Sequence, residues 1–457
     1  MRDLIFVALF LAMLPMALRF GHVATMVWAW VALAAPSQFM FGFASDLPFN
    51  KVVAFVAVVA FFVDYKRRPA FYVDSHGVLL LAFLLVGMTS YMFGLSGRTR
   101  ADDLADRIFK IVVLSMFIVM TIRTRLHIHS LLIAIGLGMG IHGAIEATKF
   151  VATGGSHVLV GPMTIGDNNH FGLAILMVLP LLAYLYLYSV SILVRVALAL
   201  AILANVAAVI ASNSRGALIA LVVVGFAVFI QSRHKLLAAV VLLILGGVGA
   251  ALAPDRWYDR MSSIGAAGQD SSFLGRIASW KMNLLVALDR PLTGGGFSAM
   301  EDPTVFNLYL PRFSSLDFIP THVPTSTAAA HSIYFQVLGD TGFIGFSLFV
   351  GLLFVAFRNV RSIQRLSRDR EDLRWAADLG RFLRLTLIAY TVGGAALSLA
   401  YFELYYIVIT LISVTRRHVQ DAVRSVAPQG SARLALAPRA ALGGMVANPP
   451  TSLGRSR

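Results

Sequence analysis

Apolar runs separated by short polar connectors occupy most of the chain. A helix rises 1.5 Å per residue, so about 20 apolar residues cross the ~30 Å hydrocarbon core of a bilayer. By that measure the candidate spans are residues 4–18, 23–35, 52–63, 78–95, 108–122, 128–147, 171–188, 193–211, 217–230, 236–252, 333–357, 383–397 and 401–414. Several are short, and the first two read as a hairpin that does not fully cross. The pattern predicts an all-α polytopic membrane protein of about 12 transmembrane helices. The opening MRDLIFVALFLAMLPMALRF has no small-residue cleavage site and reads as a retained span. One stretch breaks the pattern. Residues 254–330 are long and polar, and they carry Trp257, Arg260, Asp270, Arg276, Trp280, Lys281, Gly294-Gly295-Gly296, Glu301 and His322, with His331 at the exit. Structured loops of this length are usually functional. This one is predicted to roof an active site on the outer face of a membrane.

The charged residues fall between the spans. Lys66-Arg67-Arg68, Arg123-Thr124-Arg125, Arg233-His234-Lys235, the run 358–384 and Arg416-Arg417 are basic blocks. Cytoplasmic connectors carry such an excess. Setting these blocks inside places 254–330, 154–169 and 212–215 together outside. The run RDREDLRWAADLGR mixes both signs and reads as an amphipathic helix at the inner surface or as a solvated linker. The chain then divides into N-terminal helices 1–170, a transmembrane core 171–415 that includes the outer loop, and a disordered basic cytoplasmic tail 416–457.

Composition narrows the function classes. The 457 residues are 58% hydrophobic and 13% charged, with a mean hydropathy of +0.78. A soluble domain holds about 25% charged residues, so a soluble globular enzyme is excluded. The net charge of +15 does not point to nucleic acid, because the basic residues sit in short blocks beside apolar spans. With no cysteine, disulfides, thiolate metal sites and a cysteine nucleophile are excluded.

Three residues in or beside the outer connectors stand out. Arg215, in ASNSRGAL, opens a span beside Ser214 and Gly216. A guanidinium at a helix start suits a phosphate; it also suits a snorkelling interfacial arginine. Arg276, in SSFLGRIASWKM, precedes Trp280 by one helical turn, with Lys281 adjacent. It reads either as an indole-stacked structural cation or as a second arginine on a diphosphate. His331 lies where the loop re-enters the membrane and reads as an interfacial polar group or a proton acceptor. Asp340, nine residues on, reads as a helix-packing group. Gly294-Gly295-Gly296 is a turn without the lysine of a phosphate-binding loop. In GDNNH, at 166–170, Asn168 or Asn169 is expected to cap the helix beginning at Phe171, with a substrate-binding role for the segment as the alternative. His127, His129 and His142 show no metal-ligand spacing, so no metal is expected.

In order, SNSRGAL entering a span, GRIASW in a long outer loop, PLTGGGF and AAHSIYFQVLGDTGFIG resemble the O-antigen ligase and polymerase superfamily of bacterial envelopes, over residues 171–414. The N-terminal MRDLIFVALFLAMLPMAL and FGFASDLPFNKVVA resemble its O-glycosylation ligase branch, associated with exosortase systems. The resemblance implies an inner-membrane glycosyltransferase with its active site facing the periplasm. It would move a glycan from a polyprenyl-diphosphate carrier to a hydroxyl on lipid A–core, protein or another glycan, without metal, nucleotide or other cofactor. It implies that Arg215 and Arg276 hold the diphosphate and that His331 activates the acceptor, with Ser214, Trp280 and Lys281 as support. Attack opposite the diphosphate leaving group predicts inversion at the anomeric carbon, unlike hydrolases that use paired carboxylates, of which no convincing pair stands out. Membrane lipids are the other expected partners. A polysaccharide polymerase using the same donor is the alternative. A transporter or flippase is a more distant one, since neither an internal repeat nor a set of midplane charges beyond Glu146, Asp340 and Glu403 is evident.

Overall fold

The computed structural model describes residues 2–63, 74–162, 165, 167–252, 271–316 and 321–426. The Lys66-Arg67-Arg68 block, Trp257, Arg260, Asp270 and residues 427–457 lie outside the described residues. Among those described, every regular element is helical. The long helices are α1 (Arg2–Arg19), α2 (Gly21–Ala34), α3 (Phe49–Val63), α4 (Ser75–Met92), α5 (Arg98–Thr121), α6 (Arg125–Ile135), α7 (Ile141–Ala152), α8 (Asn168–Tyr188), α9 (Ile192–Ala211), α10 (Arg215–Gln231) and α11 (Lys235–Leu252). They continue as α12 (Ser271–Asp289), the short α13 (Pro303–Tyr309), α14 (Ile333–Leu366), α15 (Arg374–Gly393) and α16 (Glu403–Val426). A π-helical stretch, Gly136–Gly140, joins α6 to α7.

Five segments are long and apolar enough to cross a membrane: α4, the joined α6–α7, α8, α9 and α14; α2, α3, α10 and part of α11 are shorter apolar helices. The chain is thus a multi-pass membrane protein. α8 is the hub: from Phe171 through Leu182 it is buried on all sides, which explains an apolar sequence with no polar face. α9, by contrast, presents Leu193, Leu200 and Leu203 outward, as a lipid-facing helix does.

The bundle has two chemically different ends. At one, Arg358 donates to Ser75 Oγ at 2.7 Å, Tyr188 OH donates to Asp378 at 2.7 Å, and the His418 imidazole meets Arg123 O at 3.0 Å. Arg125 lies 5.4 Å over the Trp375 ring. The basic blocks around Arg123, Arg358 and Arg416 therefore gather at this end. The starts of α8, α10, α14 and α16 lie at the other.

The run 358–384 is not one amphipathic helix. α14 carries it to Leu366, a turn follows, and α15 begins at Arg374. The segment assigned to a tail also begins as structure, because α16 continues through Arg416 to Val426. Val414, Thr415 and Val419 are buried there, and that apolar face keeps the helix going. The three acids inside the apolar spans all have partners. Glu146 takes Lys149 Nζ and His157 Nε2, each at 2.7 Å. Asp340 accepts from the Ser298 N–H at 3.0 Å and Tyr401 OH at 2.9 Å. Glu403 pairs with Arg107 at 3.0 Å.

The long polar loop folds on its own small core. Ala278, Met282, Leu285 and Val286 of α12 pack with Met300, Phe306, Tyr309 and Phe313. Asp289 accepts from Arg312 at 2.8 Å and Tyr309 OH at 2.7 Å, and these two bonds, Arg312 first, hold its carboxyl below the usual range. The unit is locked to α14 by backbone contacts. Gly295 N–H donates to Gly339 O at 2.8 Å, Gly296 N–H to Asp340 O at 3.0 Å, and Phe343 N–H to Pro291 O at 2.8 Å. Gly342 breaks the helical path of α14 there, with φ +66. Gly294, at φ +63, comes so close that a Cβ on it would meet Gly339 O at 2.5 Å. Only glycine tolerates both the dihedral and the approach.

Candidate functional site

Three helix beginnings meet at the end away from the basic blocks. α8 is capped by Asp167, whose Oδ1 accepts the His170 N–H at 2.7 Å. This corrects the assignment of the cap to Asn168 or Asn169. Because Asp167 takes the cap, the Asn168 amide is left to donate to Ser212 O at 2.7 Å, joining α8 to the α9–α10 corner. α10 begins at Arg215, capped by Ser214, whose Oγ accepts the Ala217 N–H at 3.2 Å. α14 is capped by Ser332, whose Oγ accepts the Tyr334 N–H at 3.3 Å. His331 stands immediately before that cap. Unpaired N–H groups give each helix start a partial positive charge that favours anions.

His331 is held in an uncommon backbone conformation, φ +48. The left-handed region costs a non-glycine residue about 1–2 kcal/mol. Its N–H donates to Ser398 Oγ at 2.7 Å, which fixes the conformation from another part of the chain. Ser398 follows the 3-10 turn Gly394–Ala396 at the end of α15. The same turn lies against the start of α10, where a Cβ on Gly216 would stand 3.7 Å from Ala396 Cβ. Arg215 and His331 thus flank one short segment, although they are far apart in sequence.

Arg276 reaches the same place from the loop unit. It is half-buried on α12, and Trp280, one turn further on, stacks on Phe335 of α14 with ring centroids 5.2 Å apart. Burial first, then the Arg276 guanidinium and His170, hold the His331 imidazole below its ordinary value of 6.5, with Asp167 opposing. A histidine held this way is neutral at neutral pH and keeps a lone pair. Lys281 turns elsewhere: it is 3% exposed, its Nζ lies 4.1 Å over the Phe313 ring and donates to Thr321 Oγ1 at 3.3 Å. Of the six residues singled out in the sequence, Arg276 acts on the charge of His331, and the α10 start that carries Ser214 and Arg215 lies against the turn leading to Ser398, which holds His331. Trp280 anchors the helix that carries Arg276, and Lys281 packs within the loop core.

Two participants were not read from the sequence. His170 has Nδ1 3.2 Å from Ile165 O, so that nitrogen carries the proton. Its Nε2 is buried with no hydrogen-bond partner among the described residues. The charges of Asp167, Arg107 and Glu301 lie within electrostatic reach of it, and it acts in turn on His331. Ser398 is the other. In the sequence His170 stands only within GDNNH, a segment that reads as a helix cap or, alternatively, as substrate-binding; Ser398 carries no signal. Among the described residues, no three His, Cys, Asp or Glu side chains gather as a metal site would require.

Fold and site together define a multi-pass membrane protein with a cationic, histidine-bearing site at one end of its bundle. Residues 198–350 match the family described as O-Antigen ligase, and residues 1–190 match a family of unknown function (DUF5935). Residues 198–350 are thus similar to an O-antigen ligase domain, and the chain is an enzyme of the glycosyltransferase type. Arg215, Arg276 and His331 fall within the ligase match, whereas His170 and Arg107 fall within the other. No curated protein matches the chain.

Proposed function

We propose that the chain transfers a glycan from a polyprenyl-diphosphate carrier to an acceptor hydroxyl, as a ligase, at the His331 end of the bundle. The observation that carries this reading is the junction itself: Arg276 acts on His331 while Arg215 and His331 flank the same turn. Arg215 and Arg276 hold the diphosphate, with the starts of α8, α10 and α14 adding their positive ends. His331 takes the acceptor proton. The acceptor oxygen bonds to the anomeric carbon, the carbon–oxygen bond to the diphosphate breaks, and that diphosphate leaves with the electron pair. Two guanidiniums offset the charge that develops on it. Attack opposite the leaving group inverts the anomeric carbon. His170 Nε2, an acceptor without a partner, receives a hydroxyl of the incoming glycan and orients it toward His331. No metal or nucleotide is required, because the leaving group is already activated.

This reading places the basic end in the cytoplasm, the site on the periplasmic face of the inner membrane, and about twelve crossings between them. The lipid tail lies between helices, and the loop unit excludes water from the sugar. The acceptor is lipid A–core, another glycan, or a protein, as in the branch associated with exosortase systems.

A strain lacking the gene tests it. Lipid-linked glycans, surface polysaccharide, lipid A–core and periplasmic proteins are extracted from the same cells. Full-length glycan accumulating on its carrier, with one acceptor bare, is the expected result, and the bare acceptor names the substrate. Single repeat units on the carrier would instead make the protein a polymerase.

A further inference from the structure

The opposite end of the bundle holds a second concave site. Arg358, Asn359, Arg361, Ser362 and Arg365 of α14 and Arg416 of α16 line a cavity of about 400 Å³. Residues 358, 361, 362 and 365 are spaced so that they share one helical face. Like charges one turn apart repel, and Arg361 also repels Arg384 of α15. Among the described residues, none of the four lining arginines forms an ion pair with a carboxylate. A guanidinium does not discharge by losing its proton, so the excess charge calls for an anion.

A helix C-terminus and a cytoplasmic surface would each favour some arginine here, but neither accounts for Asn359. It is 1% exposed, it lines the cavity, and both its Nδ2 and its Oδ1 lack a hydrogen-bond partner. The Arg416 Nε is likewise buried and unpaired. Buried polar atoms are nearly always satisfied. Orphans on a cavity wall mark the place of a ligand that both accepts and donates.

We infer that this cavity binds a phosphate group bearing a hydroxyl. The arginines and Asn359 Nδ2 donate to the phosphate oxygens, and Asn359 Oδ1 accepts from the hydroxyl. A glycerophospholipid headgroup and a soluble phosphate share that chemistry. The site lies at the other end of the bundle from His331, and the inference does not rest on the proposed reaction.

The test is thermal unfolding of the purified full-length protein. One arm uses nanodiscs of phosphatidylglycerol against phosphatidylcholine; the other uses detergent with added inorganic phosphate or pyrophosphate. Phosphatidylglycerol is expected to raise the midpoint by several degrees over phosphatidylcholine, and Arg361→Gln with Arg365→Gln to remove most of that shift. A shift with phosphate or pyrophosphate alone, also lost in the variant, supports the site and makes the ligand soluble. Equal midpoints in both lipids with no effect of either anion would overturn the inference. So would a full shift retained in the double variant. Arg416→Gln, on the other helix, gives the same readout if the double variant fails to fold.

Discussion

In the proposed reaction His331 takes the acceptor proton, and its environment makes a specific pH prediction. Burial and Arg276 hold its imidazole below 6.5. The acid limb of kcat/KM, which reports the free enzyme, is therefore expected to fall below pH 6.5. Arg276→Gln removes a positive neighbour and should move that limb upward as well as weaken donor binding. A limb unmoved by Arg276→Gln would separate the two residues. His331→Ala should abolish transfer with membrane insertion intact. Ser398 positions the histidine through one hydrogen bond, worth about 1 kcal/mol. Ser398→Ala should lower kcat roughly fivefold to tenfold, and Ser398→Thr should restore it; a merely structural serine would shift stability and leave kcat alone. Arg215, Arg276 and His331 could be picked out in the sequence because ionisable residues in or beside the polar connectors of so apolar a chain are conspicuous. Ser398 could not. It is 67 positions from the N–H it accepts, and one serine beside a span looks like any other.

At the scale of elements, the loop unit is the part whose placement decides whether Arg276 reaches the site. Its attachment runs through the glycine turn at 294–296 and the break in α14 at Gly342. Gly294→Ala puts a Cβ 2.5 Å from Gly339 O at a positive φ. It should detach the unit, lower transfer by more than about tenfold, and expose 271–316 to protease while the remaining helices stay intact; a strained left-handed position alone costs about 1–3 kcal/mol. Unchanged proteolysis with full activity would mean that the docking is dispensable. The glycine run after Pro291 marked a turn in the sequence but not its receptor on α14. The hydrophobic pattern gave 254–330 as one polar loop, because the apolar positions of α12 (Ala278, Met282, Leu285 and Val286) are too few to resemble a span. Their helical spacing becomes meaningful only once Met300, Phe306 and Phe313 are seen to cover them.

For the whole molecule, the segregation of charge makes a prediction about sidedness. The chain contains no cysteine, so single-cysteine variants need no prior removal of native thiols. Ser326→Cys, exposed beside the His331 end, should react with a membrane-impermeant maleimide on spheroplasts. His234→Cys, exposed at the basic end, should react only after permeabilisation. The reverse result would place the site in the cytoplasm and remove the proposed reaction. Hydropathy and charge along the chain set the class of protein: runs long enough to cross a bilayer, basic blocks between them, and a few ionisable residues in or beside the outer connectors. These are local properties, since hydropathy and charge act on each segment regardless of its neighbours. Tertiary structure decided which boundaries meet. It set His331 against Arg276 and His170, carried α16 past Val414 on a buried face, and closed four arginines around an unpaired Asn359. Such contacts join helices far apart in the chain. Side-chain packing between apolar surfaces selects them, and a one-dimensional pattern of apolar residues leaves that packing undetermined.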